Sequence, residues 1–505
     1  MHFRARTAVL AAVCWLGLAS QAWGQAPATL DSLRRSLGAV SARIDSLEAG
    51  LCPVEAATVA SKPSGNARAD SLAAALDRLN RRVEAMRPVG CTGRAGAEST
   101  APDTTEAQPA AQVPTQPPEQ QPSVPAPATR TGGAYMNLGF VGLTDFGWST
   151  ESDVGSLQLG DHDPRVRGFT IPNVELALDG AVDPYFKGSS NIVYKLDENG
   201  ETGVELEEAY FLTTSLPANL QVKAGQFFTE FGRQNPQHPH SWAFVDQPLV
   251  LNRMFGPDGL RSQGVRVSWL VPTSWYTEAL ISVLNSAGGT TFSFRSDESS
   301  DIHGGAPAES GVRTVQDLLF VPRIATSIDL TDTQVLLMGA SAAFGPNNSG
   351  PDANTQIYGA DVYWKWKSST ARQGFPFVSS QTEVLYRRYD AAARVAVDDP
   401  VVTLPPETLS DRGIYSQVLW GLKPRWIAGL RGEFASGDSA AFGSPLRGDR
   451  FRLAPNVTWY PTEFSKLRLQ YNYDHRQGIG SDHSVWFQFE FVLGAMHHTN
   501  SNYKK

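Results

Sequence analysis

From residue 134 onward, apolar and polar side chains alternate with a period of two in one short segment after another, the mark of β-strands with one apolar and one polar face. Leu467, Leu469, Tyr471 and Tyr473 alternate with Lys466, Arg468, Gln470, Asn472 and Asp474. Phe451, Leu453, Val457 and Trp459 do the same against Arg450, Arg452, Asn456 and Thr458, as do Val485, Phe487, Phe489 and Phe491 against Gln488 and Glu490. A sandwich also alternates, but it turns its charged face outward and its apolar face inward.

About sixteen such segments can be counted, beginning near Ala134, Arg167, Phe186, Gly203, Leu220, Gln263, Tyr276, Asp317, Thr333, Asn354, Pro376, Arg412, Trp426, Arg450, Ser465 and Ser484. Tight turns such as Asp183-Pro184, Pro217-Ala218-Asn219, Thr331-Asp332 and Lys423-Pro424-Arg425 follow even strands, and long polar loops follow most odd ones. Outer-membrane barrels show this asymmetry, with short periplasmic turns and long external loops. Tyr185, Phe186, Trp269, Trp275, Tyr276, Trp366, Trp420, Trp426, Trp459, Tyr460 and Phe464 lie beside the short turns, where an interfacial girdle belongs. The pattern predicts an all-β membrane barrel over 134–505, an antiparallel transmembrane barrel of about sixteen strands.

The N-terminal part has a different period. Leu33, Leu37, Val40, Ile44, Leu47 and Leu51 fall at alternating spacings of three and four, the seam of an α-helical coiled coil. Ala69, Leu72, Leu76, Leu79, Val83 and Met86 repeat the pattern at an offset of about 39 residues, and Cys52 and Cys91 each follow one copy. Residues 25–91 therefore read as a duplicated periplasmic coiled coil. Each helix is too short to be stable alone, so a second helix or a second chain has to cover its seam. Cys52 and Cys91 are disulfide candidates in an oxidising periplasm. They would bond between chains or between parallel helices, because a hairpin would place them at opposite ends. Residues 92–133, rich in Pro, Ala, Gln, Thr and Ser, cannot form a core and read as a disordered linker. An extended linker of this length suits reach toward the cell wall, so peptidoglycan is a candidate partner of the N-terminal segment.

Residues 1–24 read as a signal peptide, with Arg4 and Arg6 before an apolar run from about Ala8 to Leu18, and Ala22 and Gly24 preceding the cut. Cys14 is lost with it. No later run is long and apolar enough for a membrane-spanning helix, so membrane residence rests on strands. A net charge of −8 argues against nucleic acid as a partner.

The stretch from Leu220 through Pro272, LQVKAGQFFTEFGRQNPQHPHSWAFVDQPLVLNRMFGPDGLRSQGVRVSWLVP, resembles the phosphate-selective porin family of sixteen-stranded outer-membrane porins. The matching features are a glycine-aromatic strand running into Phe-Gly, a long loop ending in Gly-Leu, and a return strand begun by Gly. The resemblance implies a homotrimer in outer-membrane lipid, with the loop after the fifth strand folded into the lumen. Arg233, His238, His240, Asp246, Arg253, Asp258 and Arg261 would then line the pore constriction. Its charge is mixed, Glu230 included, and the runs of stacked Arg and Lys that phosphate selectivity needs are not evident. QHPHSWAFVDQPLV and the ending LGAMHHTNSNYKK are also similar to poorly characterised metal-associated outer-membrane barrels. His238 and His240 are therefore metal candidates, with Asp246, His475 or His483 to complete a site, while His497 and His498 follow the last strand.

Strand parity places Lys223, Arg266, Lys365, Lys367, Arg431, Arg450, Arg452, Lys466 and Arg468 on the pore wall, opposed by Asp361, Glu433, Asp474 and Glu490. Basic groups hold a small edge, which favours small anions among hydrophilic solutes. No catalytic elbow, zinc helix, P-loop or dinucleotide pattern occurs, so no enzyme and no cofactor are expected. The expected function is passive diffusion through an outer-membrane porin. The alternatives are a structural tether to the cell wall and a zinc-related transport barrel.

Overall fold

A computed structural model describes residues 134–494, apart from 182, 297–299, 309–310, 439, 441 and 444–446. The signal peptide, the coiled coil with Cys52 and Cys91, the linker, and His497 and His498 lie outside the described residues.

Sixteen strands form one closed barrel: β1 (Tyr135–Ser149), β2 (Gly168–Ala181), β3 (Phe186–Leu196), β4 (Thr202–Thr213), β5 (Leu220–Phe228), β6 (Arg261–Leu270), β7 (Tyr276–Asn285), β8 (Leu318–Thr331), β9 (Gln334–Pro346), β10 (Asn354–Arg372), β11 (Phe375–Ala391), β12 (Glu407–Lys423), β13 (Trp426–Gly437), β14 (Arg450–Thr462), β15 (Ser465–Arg476) and β16 (Gly480–Gly494). Each pairs antiparallel with its sequence neighbours, and β16 closes on β1 from Gly139↔Gly494 to Ser149↔Ser484. Closure removes both sheet edges, so barrel backbone groups find partners in the ladder, as a lipid environment requires.

The alternation decides which way the barrel faces. In β15, Arg468, Gln470 and Asn472 are 2%, 0% and 0% exposed, whereas Leu469 between them is 53% exposed. Phe451, Leu453, Val457, Phe487 and Phe489 are likewise outward, and Arg452, Asn456, Gln488 and Glu490 are buried inside. Soluble proteins invert this arrangement. Short turns are closed by local chemistry: Asp183 Oδ1 accepts the amides of Tyr185 and Phe186 between β2 and β3, and Gln373 and Gly374 supply positive φ between β10 and β11.

Several expectations shift in detail. β12 begins at Glu407 rather than near Arg412, and β16 at Gly480 rather than near Ser484, because the ladder continues past the lipid-facing band. Tyr460 is not part of the aromatic rim. It points inward and packs with Phe244, Phe375, Phe377 and Ile427. Trp366 and Phe464 are half-buried, and Lys367 is exposed near the end of β10, beyond the enclosed lumen. Tyr185, Phe186, Trp269, Trp275, Tyr276, Trp420, Trp426 and Trp459 are outward as expected.

The β7–β8 connection carries the short helix α1 (Ser300–His303). His303 is buried against Tyr389, donates from Nε2 to Asn348 Oδ1 at 3.1 Å and accepts the Gly305 amide at Nδ1, also at 3.1 Å. Both bonds are made by the neutral ring. Burial pushes its pKa down to about 4, with Arg394 adding to the effect and Asn348 and Glu407 opposing it. In the opened loop the ring titrates at its ordinary value, so the closed loop has its full stability above about pH 6.5 and loses it as pH falls toward 4. That window corresponds to about 3 kcal/mol of local stability. Hydrogen exchange at Gly305 should accelerate by about two orders of magnitude from pH 7 to pH 4, after correction for intrinsic rates. His303→Gln should remove the dependence, and an unchanged profile in that variant would refute the account.

Candidate functional site

The connection 229–260 enters the lumen instead of projecting from the rim. Its two ends are stapled by Asn235, whose Nδ2 donates to Thr229 O and Leu260 O at 2.9 and 3.0 Å and whose Oδ1 accepts the Leu260 amide at 2.8 Å. Gly232 turns the chain at φ 64 where a Cβ would run into the Glu383 carboxylate. Glu383 then accepts the amides of Arg233 and Gln234 and the hydroxyl of Tyr415. Further on, helix α2 (Leu249–Phe255) buries Val250, Leu251, Met254 and Phe255 among Phe227, Phe231, Leu284, Leu319, Ile357 and Leu385. The barrel therefore has an apolar core inside it, built by a loop on a largely polar wall.

Beside this core, joined to it through the Leu249 amide on Glu433, stands an ionic hub. Asp246 Oδ1 accepts from Arg431 at 2.5 Å and Gln470 at 2.9 Å, and Oδ2 accepts from Arg452 at 2.9 Å, Asn472 at 2.8 Å and Gln158 at 3.2 Å. Burial opposes its charge, but Arg431 and Arg452 outweigh that and hold its carboxyl well below the usual range. Arg468 donates to the carbonyls of Trp242 and Phe244, and Lys466 to that of His240. Most of the expected pore-wall cations thus grip the loop, whereas Arg450 reaches the carbonyls of Ser156 and Leu157 in the β1–β2 connection. They are also paired: Lys223 and Arg266 with Glu230, Arg431 with Glu433, Arg450 and Arg452 with Asp474, and Lys466 with Glu490.

A second cluster fastens the loop to β2 and β4. His238 Nδ1 lies 2.9 Å from Glu207 Oε2 and 3.7 Å from Glu175 Oε1, and its Nε2 lies 2.9 Å from Glu208 Oε2. His240 Nδ1 bonds Glu175 Oε2 at 2.7 Å, and His162 Nε2 is 3.0 Å from Glu207 Oε1. The rings of His238 and His240 stack at 5.8 Å. All six residues are buried. Burial works against the charge of His238, but Glu175, Glu207 and Glu208 outweigh it and raise its pKa well above the ordinary value.

The expected constriction residues are all in or at the base of this loop, but they serve different ends. Arg233 stacks on Tyr363 and bonds Gln381. Arg253 reaches the carbonyls of Arg447 and Gly448. Arg261 pairs with Glu205, and Asp258 gathers with Asp161, His162 and Glu205, their ligand atoms all within 4.8 Å. The expected completion of a histidine site is corrected. Asp246 is committed to the arginine hub, while His475 and His483 bond Ser481 and Tyr471 at the exposed end of β15 and β16. The carboxylates that do lie against His238 and His240 are those of Glu175, Glu207 and Glu208, with His162 beside them. Strand parity would send one of Glu207 and Glu208 into lipid. A bulge opposite Asn191 and Ile192 turns both inward. Adjacent glutamates in an alternating strand were the available signal.

No family model matches the sequence. An uncharacterized protein of Aquifex aeolicus (strain VF5) is 33% identical over 356 residues, covering 65% of this chain and 69% of that protein. Among solved structures, the outer membrane channel DcaP of Acinetobacter baumannii aligns with TM-score 0.45 and 14% identity over 72% of this chain and 99% of its own. OprB of Pseudomonas putida gives 0.43 and 11% over 72% and 94%, and OmpF of Salmonella typhi, in complex with daunomycin, 0.42 and 10% over 72% and 100%.

Proposed function

The chain belongs to the same family as the uncharacterized Aquifex aeolicus protein, and we propose that it is a channel of the outer membrane, without catalytic activity, that passes small hydrophilic solutes past an in-folded loop. The observation that carries this reading is the reversed barrel: an apolar exterior from Phe451 to Phe489 and an interior of buried charges around the 229–260 loop. Lipid is the environment that makes such an exterior stable, and a polar interior is what a hydrophilic solute requires. An empty barrel of this strand number leaves an aqueous channel, and here the loop narrows it. Pairing of Arg431, Arg450, Arg452 and Lys466 with carboxylates reduces the anion preference expected from the wall to a slight one. In this reading the short turns face the periplasm, as in outer-membrane barrels, and the barrels assemble as a homotrimer.

Planar-bilayer recording of the mature protein tests this. Stepwise conductance in groups of three is expected, each step smaller than for an unobstructed barrel, with a reversal potential only slightly displaced toward anions under a salt gradient. Folded, heat-modifiable protein that gives no steps would overturn the channel reading.

A further inference from the structure

We propose that the outward face of β11, β12 and β13 binds a phospholipid whose headgroup carries an amine beside its phosphate, the phosphate on Arg412 and the amine on Asp438. Arg412 lies on β12 between the inward Asp411 and Gly413, so its side chain stands on the lipid side, paired across the ladder with Tyr386 on β11 and Ser436 on β13. Asp438 directly follows β13, and Ser410 holds it in place: Asp438 N donates to Ser410 O at 2.9 Å, and Asp438 Oδ2 accepts the Ser410 amide at 3.2 Å. Arg412, Asp438, Tyr386, Ser410 and Ser436 line one surface cavity of about 180 Å³. The cation and the anion in it do not pair with each other. Among the described residues Arg412 has no hydrogen bond or ion pair, and the Asp438 carboxylate has no salt bridge.

The headgroup follows from the charges around the cavity. Arg388, diagonally next to Arg412, is taken by Asp390 at 3.1 Å, and Arg447 is committed to Asp411 while donating to the Asp438 carbonyl. Arg412 and Asp438 are what remain. A purely anionic headgroup is attracted by Arg412 but repelled by Asp438, whereas a phosphate with an amine attached satisfies both, the guanidinium donating two parallel N–H bonds to phosphate oxygens. The level also suits a headgroup. From Trp420, at the short-turn rim, Arg412 is eight residues along β12, or about 20 Å along the barrel axis at roughly 3.4 Å per residue and a tilt of about 40°. The apolar band of such a barrel is about 25 Å tall, and a guanidinium is tolerated at its border but costly at its middle. Tyr358 and Tyr386 are exposed at the same level, as interfacial residues are, and below them Val384, Ile414 and Phe434 offer an apolar surface to acyl chains.

The test is native mass spectrometry of delipidated full-length protein in detergent, titrated with phosphatidylethanolamine or with phosphatidylglycerol of the same acyl chains. The first lipid should bind about tenfold more tightly when it is phosphatidylethanolamine. Arg412→Gln should weaken that first site about tenfold for both lipids, and Asp438→Asn should abolish the preference while phosphatidylglycerol still binds. Heat-modifiable migration checks that both variants fold. Millimolar inorganic phosphate should not displace the lipid, because it lacks both the amine and the chains. Equal first-site affinity for the two lipids in wild type, an unchanged site in Arg412→Gln, a preference that survives Asp438→Asn, or displacement by inorganic phosphate would overturn the proposal. It rests on the lipid-facing exterior of the channel reading but not on conduction, so the bilayer recordings succeed or fail independently of it.

Discussion

Asp246→Ala is expected to raise the single-channel conductance severalfold and to make it noisy, because it removes the one anion that ties the loop to Arg431 and Arg452. Both guanidiniums are buried, and Gln470, Asn472 and Gln158 spend donors on the same carboxylate. Removing one partner of a buried pair costs about 3–5 kcal/mol, chiefly because the remaining charge is left uncompensated. Arg431 retains Glu433 and Arg452 retains Asp474, which places the loss near the lower end of that range. The apolar core around Val250, Met254 and Phe255 still holds the other half of the loop, so 240–248 swings while α2 stays seated. Proteolysis near Phe244 should accelerate in parallel. Asp246→Asn, which keeps the shape and loses the charge, should fall between wild type and Ala. Wild-type conductance and wild-type protease resistance in Asp246→Ala would show that the arginine hub does not position the loop.

Leu469→Arg should cost about 2–4 kcal/mol when the barrel folds into bilayers, the cost of a cation on a lipid-facing strand near the midplane. Leu469 lies between Val457 on β14 and Phe487 on β16, all three outward. Val401→Arg, in the β11–β12 connection and 89% exposed, should change stability by less than about 0.5 kcal/mol. Urea-dependent folding into lipid vesicles measures both. Equal, near-zero effects would mean that the outward face of β15 does not meet lipid.

The sequence by itself determined the barrel, a count of about sixteen strands and its facing, and ladder closure set the number at sixteen. Period-two alternation with Lys466, Arg468 and Gln470 on one side and Leu467, Leu469 and Tyr471 on the other is a local property of the chain, and turn residues such as Asp183 and Pro184 act over a few positions. The same parity placed Arg431, Arg450, Arg452, Lys466 and Arg468 inside, and the loop from Arg233 to Arg261 in the lumen was implied by resemblance. Parity failed where the strand itself departs from regularity, at the bulge that turns both Glu207 and Glu208 inward. It also could not tell a solvated wall charge from one gripping a loop.

Those matters only the tertiary structure decided. His238 and Glu175 are 63 positions apart in the sequence, Asp246 and Asn472 are 226 apart, and nothing local to either residue selects its partner. Lumen residues meet through the path of a loop across the barrel, and that path depends on the packing of Phe231, Met254 and Phe255 against strands from several parts of the chain. Periodicity records which face a residue occupies. Where the loop comes to rest, and so which charges it covers and pairs, follows from the burial of its apolar side chains and from the requirement that each buried charge find a counter-charge or donor.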